Sequence, residues 1–127
     1  MKARNLGESF RFAATGMAQA LRSERNMRIH ITAAVMAVLL SHTLGLGRLE
    51  TAIVVLATVI VIVAEMVNTA LEHLVDLVTA EYHPLAAKVK NMAAGAVLAA
   101  AVGAAVVGIM IFGPRLVSMI SRGEVKP

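Results

Sequence analysis

Five polar residues fall on one face of a predicted helix, directly after an apolar stretch, and three of them are carboxylates. The stretch EMVNTALEHLVD occupies residues 65–76, and the 14 residues 51–64 that precede it carry no charge. Steps of three and four residues place side chains on one helix face. Ionisable groups at membrane depth are costly and mark functional sites. We call this row the polar stripe; its members are Glu65, Asn68, Thr69, Glu72 and Asp76.

Carboxylates one or two helical turns apart can divide the work of a phosphoryl transfer, one binding a divalent cation and another accepting a proton. Mg²⁺ takes one or two carboxylates together with phosphate oxygens, which favours Glu72 and Asp76 as metal ligands. Glu65 lies deepest in the apolar run and suits a general base. Lys88 and Lys90 follow the helix and would neutralise phosphate charge. An equally supported alternative is that these residues form a polar network between helices, which holds an oligomer together.

The composition predicts an integral membrane protein. Apolar residues make up 58% of the 127 residues, charged residues 16%, and the mean hydropathy is +0.76. The absence of cysteine excludes disulfides and thiolate metal sites. The net charge of +4 comes from basic residues flanking apolar runs, which favours anionic lipids or a phosphorylated ligand over nucleic acid. The glycine-rich phosphate loop and the motifs of soluble kinases are absent from the sequence.

The predicted fold is all-α, one membrane domain over residues 1–127. An amphipathic helix over residues 5–25 is expected to lie on the membrane surface, the alternative being a helix packed on a soluble core. The first 28 residues carry eight charges and do not resemble a secretory signal. Three transmembrane helices are expected at residues 29–47, 49–78 and 91–112. Gly113-Pro114 is expected to end the last span, leaving residues 115–127 as a tail.

The connections between the spans predict how the protein sits in the membrane. Eight of the 12 lysines and arginines lie in residues 1–28 and in the polar connector 79–90. The positive-inside rule therefore places the amino terminus and the connector on the cytoplasmic side of the membrane. A row of small residues, Gly95, Ala99 and Gly103, suits close helix packing, unless it reflects compositional bias. A homo-oligomer is expected, because it would bury the carboxylate row away from lipid.

Four sequence motifs together resemble the prokaryotic diacylglycerol kinase family. Beside the polar stripe they are SERNMRIH (residues 23–30), EYHPLA (81–86), KNMAAGAV (90–97) and IFGP (111–114), and the resemblance covers essentially the whole chain. Members of this family are small trimeric membrane kinases with three transmembrane helices and an amino-terminal surface helix. The SERNMRIH and HPL segments are more similar to the undecaprenol kinase branch, since the enteric diacylglycerol kinases tend to have a carboxylate where this chain has His30.

The resemblance implies ATP- and Mg²⁺-dependent phosphorylation of a lipid alcohol at sites between protomers. It assigns Glu65 as the general base and Glu24 and Glu72 as ligands of the metal. The residues it matches to the lipid substrate are Glu65, Asn68, Arg28 and Ala94. The residues it matches to ATP are Phe12, Glu24, Glu72, Asp76, Glu81, Tyr82, His83, Lys90 and Asn91.

One position departs from the family pattern, which usually has Lys-Asp where this chain has Lys90-Asn91. Asparagine keeps an acceptor oxygen but loses the charge, so a contact to phosphate or ribose would change, whether the asparagine arose by drift or was introduced. The leading hypothesis is an undecaprenol kinase, and the nearest alternative is a diacylglycerol kinase with the same machinery. A small oligomeric transporter or proton channel is the alternative of another class, since carboxylates within spans also mark ion pathways.

Overall fold

The computed structural model describes residues 4–79 and 81–121 and consists of four helices over those residues. Helix α1 is Leu6–Ser23, α2 is Arg25–Thr43, α3 is Arg48–Val78 and α4 is Pro84–Ser121. Helices α3 and α4 make the most extensive contact, α2 packs on α3, and α1 lies against α2 and α3. The start of α2, the end of α3 and the start of α4 therefore meet at one end of the bundle, with α1. We call it the polar end, and the opposite end the turn end.

Helix α1 begins and ends at identifiable polar residues. The Asn5 side chain caps it by accepting the backbone N–H of Glu8 at 2.8 Å. Glu24, with extended backbone angles (φ −96°, ψ 122°), separates α1 from α2. A surface helix was predicted over residues 5–25 and a membrane span from residue 29. In the structure α1 ends at Ser23 and α2 begins at Arg25, with Glu24 as the single residue between the two helices. That interruption sets the Glu24 carboxylate at the junction of two helices.

The turn between α2 and α3 consists of residues 44–47, which were predicted to belong to the first span. Helix α2 ends at Thr43, and Gly45 adopts a positive φ of 61°, a conformation that favours glycine. The uncharged helical part, residues 29–43, therefore rises only about 22 Å, less than a hydrocarbon core of about 30 Å. Within the described chain, the two helices long and apolar enough to cross a membrane are α3 and α4. A crossing by α2 stays a prediction.

Helix α4 begins at one proline, as proline geometry predicts, and continues through a second one, Pro114. Pro84 occupies the first helical position, where its missing N–H costs nothing, and the His83 Nδ1 accepts the Leu85 N–H at 3.2 Å. The helix itself does not end at Gly113-Pro114, since α4 runs through Pro114 to Ser121; the end of the membrane span at this point stays a prediction. Arg115 anchors this extension by donating to Glu50 of α3 at 3.1 Å. Of the predicted tail, residues 122–127 lie outside the described part.

The core of the bundle is thin and most large apolar side chains face outwards. Buried apolar residues are few: Ala20, Met27, Val54, Val61 and Ala93. Outward-facing side chains at mid-helix on α3 and α4 include Leu56, Ile60, Val63, Leu98, Val102 and Ile109. A surface of this kind suits contact with lipid or with other membrane helices, because water would penalise its exposure.

Candidate active site

The polar stripe is graded in burial along the last four turns of α3. Glu65 is 2% exposed, and Asn68 and Thr69 are each 7% exposed. Glu72, one turn further, is half-buried, and Asp76 is exposed at the polar end. The single-face spacing therefore places the five side chains at successive depths, from the interior of the bundle to its surface. Such a gradient lets one helix face an apolar substrate at one end and a water-soluble one at the other.

Glu65 faces polar residues that α2 supplies. Asn26, in the first turn of α2, and His30, one turn later, both lie near enough to Glu65 to favour a negative charge on its carboxyl. Asn26 and His30 are four residues apart and therefore share one face of α2. Neither was assigned to the site from the sequence, although their spacing in SERNMRIH offered a signal. A deeply buried carboxylate is tolerated when such groups surround it.

Two other carboxylates lie close enough to Glu65 to act on its charge. Glu24, at the α1–α2 junction, and Glu72, two turns further along α3, both act electrostatically on the Glu65 carboxyl. Within residues 4–79 and 81–121, no three acidic or histidine side chains converge closely enough to hold a metal alone. Glu24 and Glu72 nevertheless fit Mg²⁺, which takes one or two carboxylates and completes its shell with phosphate oxygens and water. A bound cation would offset the negative charge of Glu24 and Glu72.

Asn68 is hydrogen-bonded to Glu72, one turn further along α3. Its Nδ2 donates to the Glu72 Oε1 at 3.1 Å. Its Oδ1 is buried and has no hydrogen-bond partner among the described residues. A buried acceptor without a donor is costly, by about 1–3 kcal/mol. The site therefore presents an acceptor ready for a hydroxyl or an amide, one turn from Glu65.

A second group of candidate residues lines a pocket of about 230 Å³ between the end of α3 and the start of α4. Asp76 and Lys90 form an ion pair across it, Oδ1 to Nζ at 2.5 Å. The structure thus brings together five of the residues matched to ATP. They are Asp76, Glu81, Tyr82, His83 and Lys90.

Four other matched residues take positions that the sequence alone did not indicate. Phe12 lies on α1 with its ring 5.6 Å from the Arg11 guanidinium carbon. Arg28 donates to the Arg22 carbonyl at 3.0 Å, so it satisfies the carboxyl end of α1. Asn91 and Ala94 are exposed on the first turns of α4. Their contacts with a nucleotide or a lipid stay predictions.

The fold and this site define an all-helical membrane protein in which a buried carboxylate on an apolar helix leads to a polar pocket. Comparison with known proteins gives its family. The family model for prokaryotic diacylglycerol kinase matches residues 11–112. The chain belongs to the prokaryotic diacylglycerol kinase family, and it is a lipid kinase.

Three relatives illustrate the range of the family. The chain is 40% identical to a diacylglycerol kinase of Synechocystis over 91% of its length and 67% of that protein. It is 38% identical to the undecaprenol kinase of Bacillus subtilis over 86% of its length and 89% of that protein. It is 29% identical to the diacylglycerol kinase of Escherichia coli K12 over 72% of its length and 75% of that protein. The resemblance drawn from the four motifs is confirmed at the level of the family.

Proposed function

We propose that this protein phosphorylates undecaprenol with ATP to give undecaprenyl phosphate. The observation that carries the proposal is the continuous row from a carboxylate buried on an apolar helix to an exposed polar pocket. A lipid alcohol can approach Glu65 from the bilayer, while a nucleotide enters from the aqueous side. The SERNMRIH motif and the similarity to the B. subtilis undecaprenol kinase support the choice of substrate. Diacylglycerol is the second candidate, supported by the Synechocystis relative.

In the proposed reaction the lipid hydroxyl oxygen attacks the γ-phosphorus of ATP. A bond forms between that oxygen and phosphorus, the bond to the β-phosphate oxygen breaks, and ADP leaves with the electron pair. Glu65 accepts the hydroxyl proton, and the free Oδ1 of Asn68 can accept a hydrogen bond that orients the alcohol. Catalysis comes mostly from positioning and from neutralisation of charge.

Glu24 and Glu72 are the proposed ligands of Mg²⁺, which supplies charge neutralisation of the ATP phosphates when bound. Lys90 contributes a further positive charge in the lining of the pocket. Asp76, Glu81, Tyr82, His83, Phe12 and Asn91 complete the proposed nucleotide site. Arg28 and Ala94 are proposed to contact the lipid near the start of its chain.

The proposed assembly is a homotrimer with three spans per chain in the bacterial inner membrane, its amino terminus in the cytoplasm. The outward-facing apolar residues of α3 and α4 provide surface for neighbouring helices and for lipid. The exposed apolar residues of α1, among them Leu6, Phe10 and Met17, suit a helix that lies on the membrane. The distribution of lysine and arginine supports the orientation.

The test is a phosphorylation assay in detergent micelles that compares undecaprenol with diacylglycerol at equal mole fractions, with MgATP saturating. We expect kcat/KM to be at least tenfold higher for undecaprenol. A preference for diacylglycerol would replace the first candidate with the second. Absence of ATP-dependent phosphorylation of either alcohol would contradict the proposal, and proton flux in liposomes would then test the channel alternative.

A further inference from the structure

Among the described residues that line the 230 Å³ pocket there is one lysine, Lys90, and a carboxylate already holds it. Lys90 Nζ lies 2.5 Å from Asp76 Oδ1, and this contact bridges the end of α3 and the start of α4. The Lys90 side chain is 35% exposed and that of Asp76 is 62% exposed. An ion pair as open to solvent as this contributes little to stability. The main effect of this ion pair is therefore to fix the position of the Lys90 ammonium group.

The charges around the pocket show why the position of Lys90 matters. Asp76 and Glu81 bring two carboxylates to the lining, against one ammonium. The Nδ1 of His83 accepts the backbone N–H of Leu85 at 3.2 Å, so this ring nitrogen already has a partner. ATP is polyanionic, so a pocket with this lining attracts its phosphates only where the ammonium is presented to them. A lysine side chain has many rotamers, and a partner that restrains it lowers the entropic cost of placing the charge.

We propose that Asp76 is a positioning residue, which acts on the nucleotide through Lys90 instead of contacting it. The Asp76 carboxylate holds the ammonium in the pocket lining, and Lys90 makes the contact with phosphate. This changes the assignment carried over by resemblance, in which Asp76 was itself matched to a nucleotide contact. The inference rests on the proposed function in one respect, that the nucleotide is ATP.

A double-mutant cycle on MgATP binding tests the inference. The variants are Asp76→Asn, Lys90→Gln and the two combined, with Kd for MgATP measured in detergent micelles without lipid alcohol. We expect Asp76→Asn to weaken binding about fivefold and Lys90→Gln at least tenfold, typical of a lost charged contact. In the Lys90→Gln background, Asp76→Asn should add less than twofold, because the group it positions is gone. An undiminished fivefold effect in that background would overturn the inference.

Two further measurements separate positioning from a structural effect. Asp76→Glu keeps the charge and should return Kd to within about threefold of the unaltered protein, and in turnover Asp76→Asn should raise KM for ATP with little change in kcat. Glu50→Gln is the matched control, because it breaks the other ion pair between α3 and α4. Kd should not change in Glu50→Gln. An equal weakening there would mean that coupling of the two helices, not Lys90, sets the affinity, and would overturn the inference.

The outcome is distinguishable from failure of the proposed function, because the binding cycle needs no lipid turnover. If the unaltered protein binds MgATP and the cycle is non-additive, the positioning inference holds even where no lipid alcohol is phosphorylated. If lipid is phosphorylated but the cycle is additive, the proposed function holds and the inference fails. Absence of MgATP binding by the unaltered protein would overturn both.

Discussion

The two ends of the α3–α4 pair carry the same kind of ion pair in different surroundings. At the turn end Arg115 contacts Glu50 at 3.1 Å, and at the polar end Lys90 contacts Asp76 at 2.5 Å. Glu50 also accepts the Gly47 N–H at 2.8 Å, so its carboxylate caps α3 while it binds Arg115. Asp76 lines a polar pocket. The Arg115–Glu50 pair belongs to the cap of α3, whereas the Lys90–Asp76 pair places a charge in the lining of a polar pocket.

The buried polar residues of the two ends differ in the same way. Ser41, near the turn end, is 1% exposed and donates its hydroxyl to the Ala37 carbonyl one turn earlier at 2.8 Å. At the polar end, the buried Asn68 has an acceptor without a partner among the residues described, one turn from the buried Glu65. Local satisfaction is typical of a structural residue. An unsatisfied group one turn from a buried carboxylate is typical of a functional site, which agrees with placing the proposed reaction at the polar end.

The largest expected effect comes from removing the base at the polar end. Glu65→Gln keeps the shape of the side chain but cannot accept the hydroxyl proton, so kcat should fall by about 10²–10⁴-fold. Phosphorylation of lipid in micelles measures it, and MgATP binding should persist because the nucleotide pocket begins about three turns further along α3. Ser41→Ala is the matched control at the turn end, and its kcat should change less than twofold. Full activity in Glu65→Gln would contradict the mechanism.

A smaller effect is expected at the proposed metal ligands. Glu72→Gln removes one of two carboxylates offered to Mg²⁺, so the Mg²⁺ concentration for half-maximal rate should rise by about 10–100-fold. A Mg²⁺ titration at constant free ATP measures it. Asp76→Asn, one turn further out, should instead change KM for ATP and leave the Mg²⁺ dependence nearly unaltered. Equal Mg²⁺ dependence in Glu72→Gln and the unaltered protein would remove Glu72 from the metal site.

Much of the polar end could be predicted from the sequence, because it depends on local patterns. The single face of the polar stripe follows from helical spacing, and Pro84 at the first position of α4 follows from proline geometry. The grouping of Asp76 with residues 81–83 and Lys90 was expected only by resemblance. It depends on how α3 and α4 turn at residues 79–83, which no spacing rule fixes.

The turn end and the α1–α2 junction were less predictable because their contacts are distant or depend on one residue. Arg115 and Glu50 are 65 residues apart, so the contact that accompanies α4 beyond Pro114 leaves no pattern in either segment. The break at Glu24 lies in a stretch with helical character on both sides. The approach of Asn26 and His30 to Glu65 likewise needs the packing of α2 on α3. Long-range packing, not local propensity, decided each of these points.

Substitution of Asn91, next to the polar-end ion pair, is expected to raise the kinase rate modestly. It follows Lys90 on α4, is exposed, and stands where the family usually has aspartate. Asn91→Asp restores a carboxylate that can bind a metal or ribose hydroxyls, so the kinase rate should rise about two- to tenfold, as expected for one recovered charged hydrogen bond. Steady-state assays at saturating lipid measure it. Equal or lower activity in Asn91→Asp would show that this position does not limit the reaction.

The smallest effect is expected from the ion pair at the turn end. Glu50→Gln removes its charge, but the two side chains are 43% and 38% exposed for Arg115 and Glu50, so solvent screens the attraction. The loss of stability should be about 0.2–1 kcal/mol, because the amide oxygen can still accept the Gly47 N–H. Unfolding by SDS in mixed micelles measures the difference, with KM for ATP and for lipid determined on the same samples. If both KM values changed more than the stability, the turn end would be coupled to the site, and the contrast between the two ends would fail.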